Sequence, residues 1–384
     1  YIMSGLLGKQ QVSTSPKQFA LVSLIILTFN QLEHTKRCLK SIEQHTPEPH
    51  ELIIVDNGST DGTRDYLREY ARDRHNVQVI ANKENLGFAA GNNQGLAISE
   101  GDYVLLLNND TVVTEGWLAR MLSVFGRHPE VGIVGPVSNY VSGPQQVREA
   151  SYKNLEKMHR FAKHWSDSHA GQTMEFYRIV GFCMLIKRKV IEQIGGLDEQ
   201  FGSGNFEDDD FCFRAAAFGY KARIALDAFV HHAGSQTFKG ARIDYKKSLE
   251  RNWEIFKLKW NLPKGLPYGS SYNITISTNN LSQHYVPIPT KSDVEPLLIK
   301  CTSSEIAEDK ITHVQNSLPE RDDGDGLERI SDKLQKLIKQ CEAKIKGQVQ
   351  ENTIEEISAN LYRQAVSLHE TGKTDLAIRQ FEII

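Results

Sequence analysis

Leu21-Val22-Ser23-Leu24-Ile25-Ile26-Leu27-Thr28-Phe29-Asn30 is the stretch that decides the fold. From Leu21 to Leu27 only Ser23 is polar, and β-branched residues are frequent, the pattern of a strand covered on both faces. The run is too short to span a bilayer. It passes straight into a polar turn with no small-residue cleavage site, so it reads as a buried strand rather than the core of a signal peptide. Working outward, Leu32, Thr35, Cys38, Leu39 and Ile42 fall at helical spacing. Leu52-Ile53-Ile54-Val55 is a second strand, followed by the turn Asp56-Asn57-Gly58-Ser59 and a helix near 60–73. Val77–Ile80 and Tyr103–Leu107 repeat the scheme. This rhythm predicts an α/β fold, Rossmann-like, with a mostly parallel sheet flanked by helices.

Further along the pattern weakens. Residues 141–175 carry His and aromatic residues without a firm period. Regularity returns at Ile179–Ile186 and continues through a helix to Gly195-Gly196; a helix near 207–218 and strands near 221–230 follow. The expected organisation is a leader or linker at 1–18, the α/β domain at 19–262, a linker or irregular excursion at 263–326, and a small α-helical segment at 327–384. Within the last, Leu361, Ala365, Leu368, Gly372, Ala377 and Phe381 resemble part of one tetratricopeptide repeat, the alternative being a plain helical hairpin. Such repeats need stacked neighbours, which points to a longer parent chain and to a protein partner or oligomer at this segment.

Composition narrows the class. The chain has 384 residues, 40% hydrophobic, with a net charge of -3, which argues against a nucleic-acid binder driven by phosphate neutralisation. The five cysteines are scattered without CxxC spacing, favouring reduced thiols and a cytoplasmic setting, peripheral to the inner face of a membrane at most.

Open parallel sheets bind ligands at the carboxyl ends of their strands. Thr28-Phe29-Asn30, Asp56-Asn57-Gly58-Ser59 and Asn108-Asn109-Asp110 each stand at such an end. One cluster alone reads as turn chemistry, since Asx-Gly turns are common after strands. Three converge on one crevice.

With Asn85-Leu86-Gly87-Phe88-Ala89-Ala90-Gly91-Asn92-Asn93, Gly195-Gly196-Leu197-Asp198, Glu207-Asp208-Asp209-Asp210-Phe211 with Arg214, and His231-His232, these residues resemble family 2 of the glycosyltransferases over about residues 20–260. The resemblance implies the A-type nucleotide-diphospho-sugar transferase fold. It further implies inverting transfer of a sugar from a nucleotide-diphosphate donor to an acceptor hydroxyl on a glycan, a lipid-linked glycan or a protein. The Asp-Asn-Gly-Ser and Asn-Asn-Asp variants are most similar to the rhamnosyltransferase-type branch. Processive members carry membrane helices and a Gln-x-x-Arg-Trp motif; Arg251-Asn252-Trp253 does not match it, so non-processive transfer is expected.

The site residues follow by position. Asp56 would accept hydrogen bonds from the donor's base or ribose, against an Asx-turn cap as the bland alternative. Thr28 and Asn30 would line the same pocket, with Asn93 and Asn109 also on the nucleotide sugar. Gly87 would let backbone approach the nucleotide, or merely start a helix. Asp110 is the implied metal ligand, although the family's usual first Asp is Asn108 here. Mn or Mg suits its hard oxygen, and would offset charge rising on the diphosphate. His232 is the implied second ligand; adjacent strand residues face opposite ways, so either it or His231 points inward. Asp208 is the implied general base, Glu207 and Asp210 orient the acceptor or cap the helix, and Asp209 serves the helix start. A sugar-phosphate nucleotidyltransferase would need a Gly-rich first loop, whereas Thr28 to His34 has no glycine. A catalytically inactive, sugar-nucleotide-binding adaptor would be expected to have lost Asp110, Asp208 or His232.

Overall fold

The computed structural model describes residues 20–299 apart from 73, 203, 235–244 and 271–280. The leader at 1–18, most of the stretch from 300 to 326 and the repeat-like segment at 327–384 lie outside the described residues. A nine-stranded sheet forms the centre, in the order β3-β2-β1-β4-β8-β6-β9-β5, with β7 also paired to β9. The strands are β1 (Val22–Thr28), β2 (His50–Asp56), β3 (Val77–Ala81), β4 (Tyr103–Asn108), β5 (Thr111–Val113), β6 (Val131–Val137), β7 (Thr173–Glu175), β8 (Cys183–Lys187) and β9 (Lys221–His232).

β1, β2, β3 and β4 pair in parallel, as the rhythm predicts. β8 runs antiparallel to both β4 and β6, and β9 is parallel to β6. The carboxyl ends of β1, β2, β4, β6 and β9 therefore share one edge of the sheet. β5 and β7 pair antiparallel to β9. This mixed half was hidden in the sequence, because strand polarity leaves no mark on hydrophobic pattern.

Alternation along the strands splits the core into two layers. Ile25, Ile53, Val55 and Leu106 face one side and pack with α3 (Phe88–Ile98), α6 (Arg188–Ile194) and α7 (Glu207–Ala217). Leu24, Ile26, Leu52 and Leu105 face the other and pack with α1 (Leu32–His45), α2 (Thr63–Ala71) and α4 (Trp117–Arg127). Leu24, Ile25 and Ile26 are fully buried, which is why the opening strand reads apolar on both faces. Gly91 makes the α3 layer possible: a Cβ there would sit 2.4 Å from Leu27 Cδ1.

Two segments depart from expectation. Inside the weakly patterned 141–175 stretch lies a full helix, α5 (Leu155–Ser168), capped by Asn154, whose side chain accepts from the Lys157 amide. Its buried face is narrow, only Met158, Ala162 and Ser166, so the period is faint. Residues 281–299 contain short helical turns at Leu281–His284, Lys291–Val294 and Glu295–Leu297, and they dock on the α/β domain as a strap. Val286 exchanges backbone hydrogen bonds with Ile194 and Gly196, and Ile299 donates to Val79 on the sheet edge. No described helix is long and apolar enough to cross a membrane.

Candidate active site

Asp110 stands between β4 and β5, and His232 ends β9. The antiparallel pairing of Thr111 with His232 brings them together. His232 Nε2 lies 3.1 Å from Asp110 Oδ1. Its Nδ1 lies 2.8 Å from the Tyr140 carbonyl, which can only accept, so Nδ1 carries the proton and Nε2 faces Asp110. The Asn139 side chain brackets the His232 backbone, accepting from its N–H at 2.9 Å and donating to its C=O at 3.0 Å. Phe182 stacks on the imidazole at 5.0 Å between centroids, and Tyr140 meets its edge at 6.0 Å. The ring is thereby fixed in plane and in position.

His231 points the other way. Its Nδ1 is 2.7 Å from the Tyr152 hydroxyl, and burial, with the neighbouring His232, lowers its pKa to about 4. Of the two histidines only His232 reaches Asp110.

The donor set fits a divalent cation. Two cis ligands at about 2.1 Å in an octahedron stand about 3.0 Å apart, close to the observed spacing. Among the described residues no group of three or more His, Cys, Asp or Glu converges on a metal position. The remaining positions would fall to donor oxygens and water.

Asp208 sits in the first turn of α7, and that turn opens on the same sheet edge. Its Oδ2 accepts the Gly181 amide at 2.9 Å and its Oδ1 accepts the Asp209 amide at 2.9 Å. Gly181 is followed directly by Phe182, the ring on His232. One dipeptide thus touches both the acidic turn and the histidine. Phe88, at the start of α3, closes over Gly181, with ring atoms 3.6 Å from where a Cβ would stand.

The four carboxylates of this turn have different surroundings. Asp210 is fully buried; Arg214 Nε lies 2.8 Å from its Oδ2, and Lys259 Nζ and Trp260 Nε1 lie 2.8 and 3.1 Å from its Oδ1. Arg214 in turn donates to the Ile194 and Gly196 carbonyls. Asp210 is thereby tied into the packing beneath its own helix. Glu207 is buried, and burial followed by the charge of Asp208 raises its pKa well above the usual range. The same causes push Asp209 up to about 8, with Arg178 opposing.

The expected donor-binding residues divide. Asn30, at φ 55, keeps its side chain near the surface, where Oδ1 accepts the Thr60 amide at 2.8 Å. Gly87, at φ 90, precedes α3 and receives Asn57 Nδ2 on its carbonyl at 3.0 Å. The others turn inward. Asp56 is fully buried; its Oδ1 accepts the Ser59 amide at 3.0 Å and its Oδ2 holds Arg64 Nε at 2.8 Å. Thr28 and Asn109 join Thr35 in a buried knot that ties β1, β4 and α1 together. Asn93 is fully buried and clamps the 197–199 loop through the Leu197 backbone and Glu199. Strand-end position flagged Asp56, Thr28 and Asn109, and the Asn85–Asn93 stretch flagged Asn93, but neither signal tells a side chain turned to the crevice from one turned into the packing.

Sequence reasoning missed Phe182, Tyr140, Gly181, Arg178 and the amide network of Asn57, Asn82 and Gln94. In that network Asn82 donates to Asn57 Oδ1 at 3.0 Å and to Gln94 Oε1 at 2.7 Å. Gly181-Phe182 directly preceding an apolar run was the one available signal.

These contacts define an α/β-sheet protein with a carboxylate–histidine pair and an acidic helix start at the strands' carboxyl edge. Residues 23–195 match the family model described as Glycosyl transferase family 2. The chain is 30% identical over 254 residues to the Sinorhizobium fredii protein y4gI, covering 62% of this chain and 27% of that one. It thus spans about a quarter of that relative's length. It is 26% identical over 246 residues to the N-acetylglucosaminyl-diphospho-decaprenol L-rhamnosyltransferase of Mycobacterium tuberculosis, covering 56% of this chain and 78% of the relative. Among solved structures it is similar to the mannosyltransferase PcManGT of Pyrobaculum calidifontis, at 21% identity and a TM-score of 0.43, covering 60% and 62% of the two chains.

Proposed function

We propose that this chain is a metal-dependent, inverting, non-processive glycosyltransferase that moves a sugar from a nucleotide-diphosphate donor to the hydroxyl of a glycan or lipid-linked acceptor. The observation that carries the reading is the Gly181-Phe182 dipeptide, whose amide meets Asp208 and whose ring packs on His232. Asp110 and His232 would hold a divalent cation, Mn or Mg, against the donor diphosphate. When bound, that cation would offset the negative charge rising on the leaving group.

Asp208 would take the proton from the acceptor hydroxyl as its oxygen attacks the anomeric carbon. Two backbone amides on its oxygens orient it. A base placed for one displacement implies inversion. Asn30 and the backbone near Gly87 are the donor contacts the reading retains. Asp56 would act through the Arg64 and Ser59 contacts that shape the pocket. Family-domain similarity and the rhamnosyltransferase relative support a nucleotide-sugar donor, with a deoxyhexose among the candidates.

A thermal-shift panel tests the reading, using UDP, GDP and dTDP with and without MnCl2. One nucleotide should raise the melting temperature clearly more than the others, and only with Mn. Absence of any nucleotide response would sink it.

A further inference from the structure

Arg178 occupies the segment immediately before the Gly181-Phe182 dipeptide and serves none of the roles above. Its Nη1 lies 3.6 Å from Asp209 Oδ1, and its Nη2 donates to Ser142 Oγ at 2.9 Å. From there to Gly181 the segment follows the start of α7: Ile179 N–H donates to Cys212 Sγ at 3.3 Å, and Gly181 N–H donates to Asp208 Oδ2. Arg178 and Gly181 therefore grip adjacent carboxylates from one short strip of chain. The side chain of Arg178 is 21% exposed and that of Asp209 is 7% exposed, so water screens the pair only weakly.

We propose that Arg178 is a positioning residue for Asp208: it supplies the cation that lets two adjacent buried carboxylates share the first turn of α7, and with Gly181 it fixes where that turn stands. This rests on the reading of Asp208 as the base. Every other carboxylate of the turn is accounted for. Asp210 is balanced by Arg214 and Lys259, and burial pushes the Glu207 carboxyl well above the usual range. The titratable and charged groups around Asp209 are Glu207, Asp208, Asp210 and Cys212 on its own helix, and Tyr177 and Arg178 from the facing segment. Of these only Arg178 opposes the upward shift of Asp209, which burial and Asp208 otherwise drive. Without it the first turn loses the cation facing its buried carboxylates, and Gly181 alone holds it from that segment.

The test uses the full chain with Mn and water as acceptor. Nucleoside-diphosphate release is followed from whichever of UDP-glucose, UDP-N-acetylglucosamine and dTDP-rhamnose the wild type hydrolyses. Arg178→Gln should lower kcat about tenfold, leave the donor KM within about threefold, and move the acid limb of the kcat–pH profile up by about one unit. Arg178→Lys should return the limb toward its wild-type position. A limb that does not move in Arg178→Gln overturns the proposal, whatever happens to kcat, as does a donor KM that rises in its place. Asp208→Asn separates the two readings. If it turns over donor like the wild type, or if the wild type releases no nucleotide, the base assignment itself fails and this inference goes with it.

Discussion

His232 Nε2 and Asp110 Oδ1 face each other at 3.1 Å because β5 and β9 are zipped in antiparallel register one residue away. Asp110→Asn should abolish the Mn-dependent part of the nucleotide thermal shift and lower kcat by about 10² or more. His231→Ala, whose ring faces Tyr152, should keep that response. Calorimetric titration of Mn into the nucleotide-bound protein separates the two variants.

Asp208→Asn preserves shape and backbone contacts while removing the proton acceptor. It should reduce kcat by about 10² to 10⁴ with the donor KM nearly unchanged. Steady-state kinetics checks this, since a KM effect in place of a kcat effect would make Asp208 a donor ligand.

Asn93→Ala strips partners from the Leu197 N–H and C=O and from Glu199. The expected cost is about 1–3 kcal/mol of stability, with the donor affinity of the folded fraction unchanged. Chemical denaturation together with nucleotide titration reads both quantities.

Asp209 predicts a pH slope in stability. Its folded pKa, about 8, lies above the unfolded value, so between the two the folded state binds more protons and stability falls as pH rises. Glu207, also raised, adds in the same sense. Melting temperature should decline from pH 5 to 8.5, and Asp209→Asn should flatten that decline.

Gly195 has φ +74, and a Cβ on it would lie 1.7 Å from the Val286 carbonyl oxygen. Gly195→Ala should therefore cost about 3 kcal/mol or loosen the strap. Hydrogen exchange at residues 284–299, faster in the variant, would report the loosening.

Much of this protein is legible in its sequence where pattern and burial coincide. The run from Leu21 to Leu27 announces a two-sided strand because both of its faces are covered, and Asp110, Asp208 and His232 stand at strand or helix ends on one edge. What escapes is direction. Asn93, Asn109 and Thr28 occupy the right edge but turn into the packing, and nothing in residue type distinguishes that orientation. Asp210 looks like its three acidic neighbours until Lys259 and Trp260, distant in the chain, join Arg214 around it. Phe182 is an ordinary apolar residue in sequence; only β8 running antiparallel to β4 delivers it to His232.

The strap has a practical consequence for anyone trimming this protein. The family match ends at residue 195, the very glycine on which Val286 rests. A version stopping near residue 262 would leave the Ile194 carbonyl and Gly196 amide without Val286, and the Val79 carbonyl without Ile299. The strap belongs with the sheet it covers, well past the point where the family match ends.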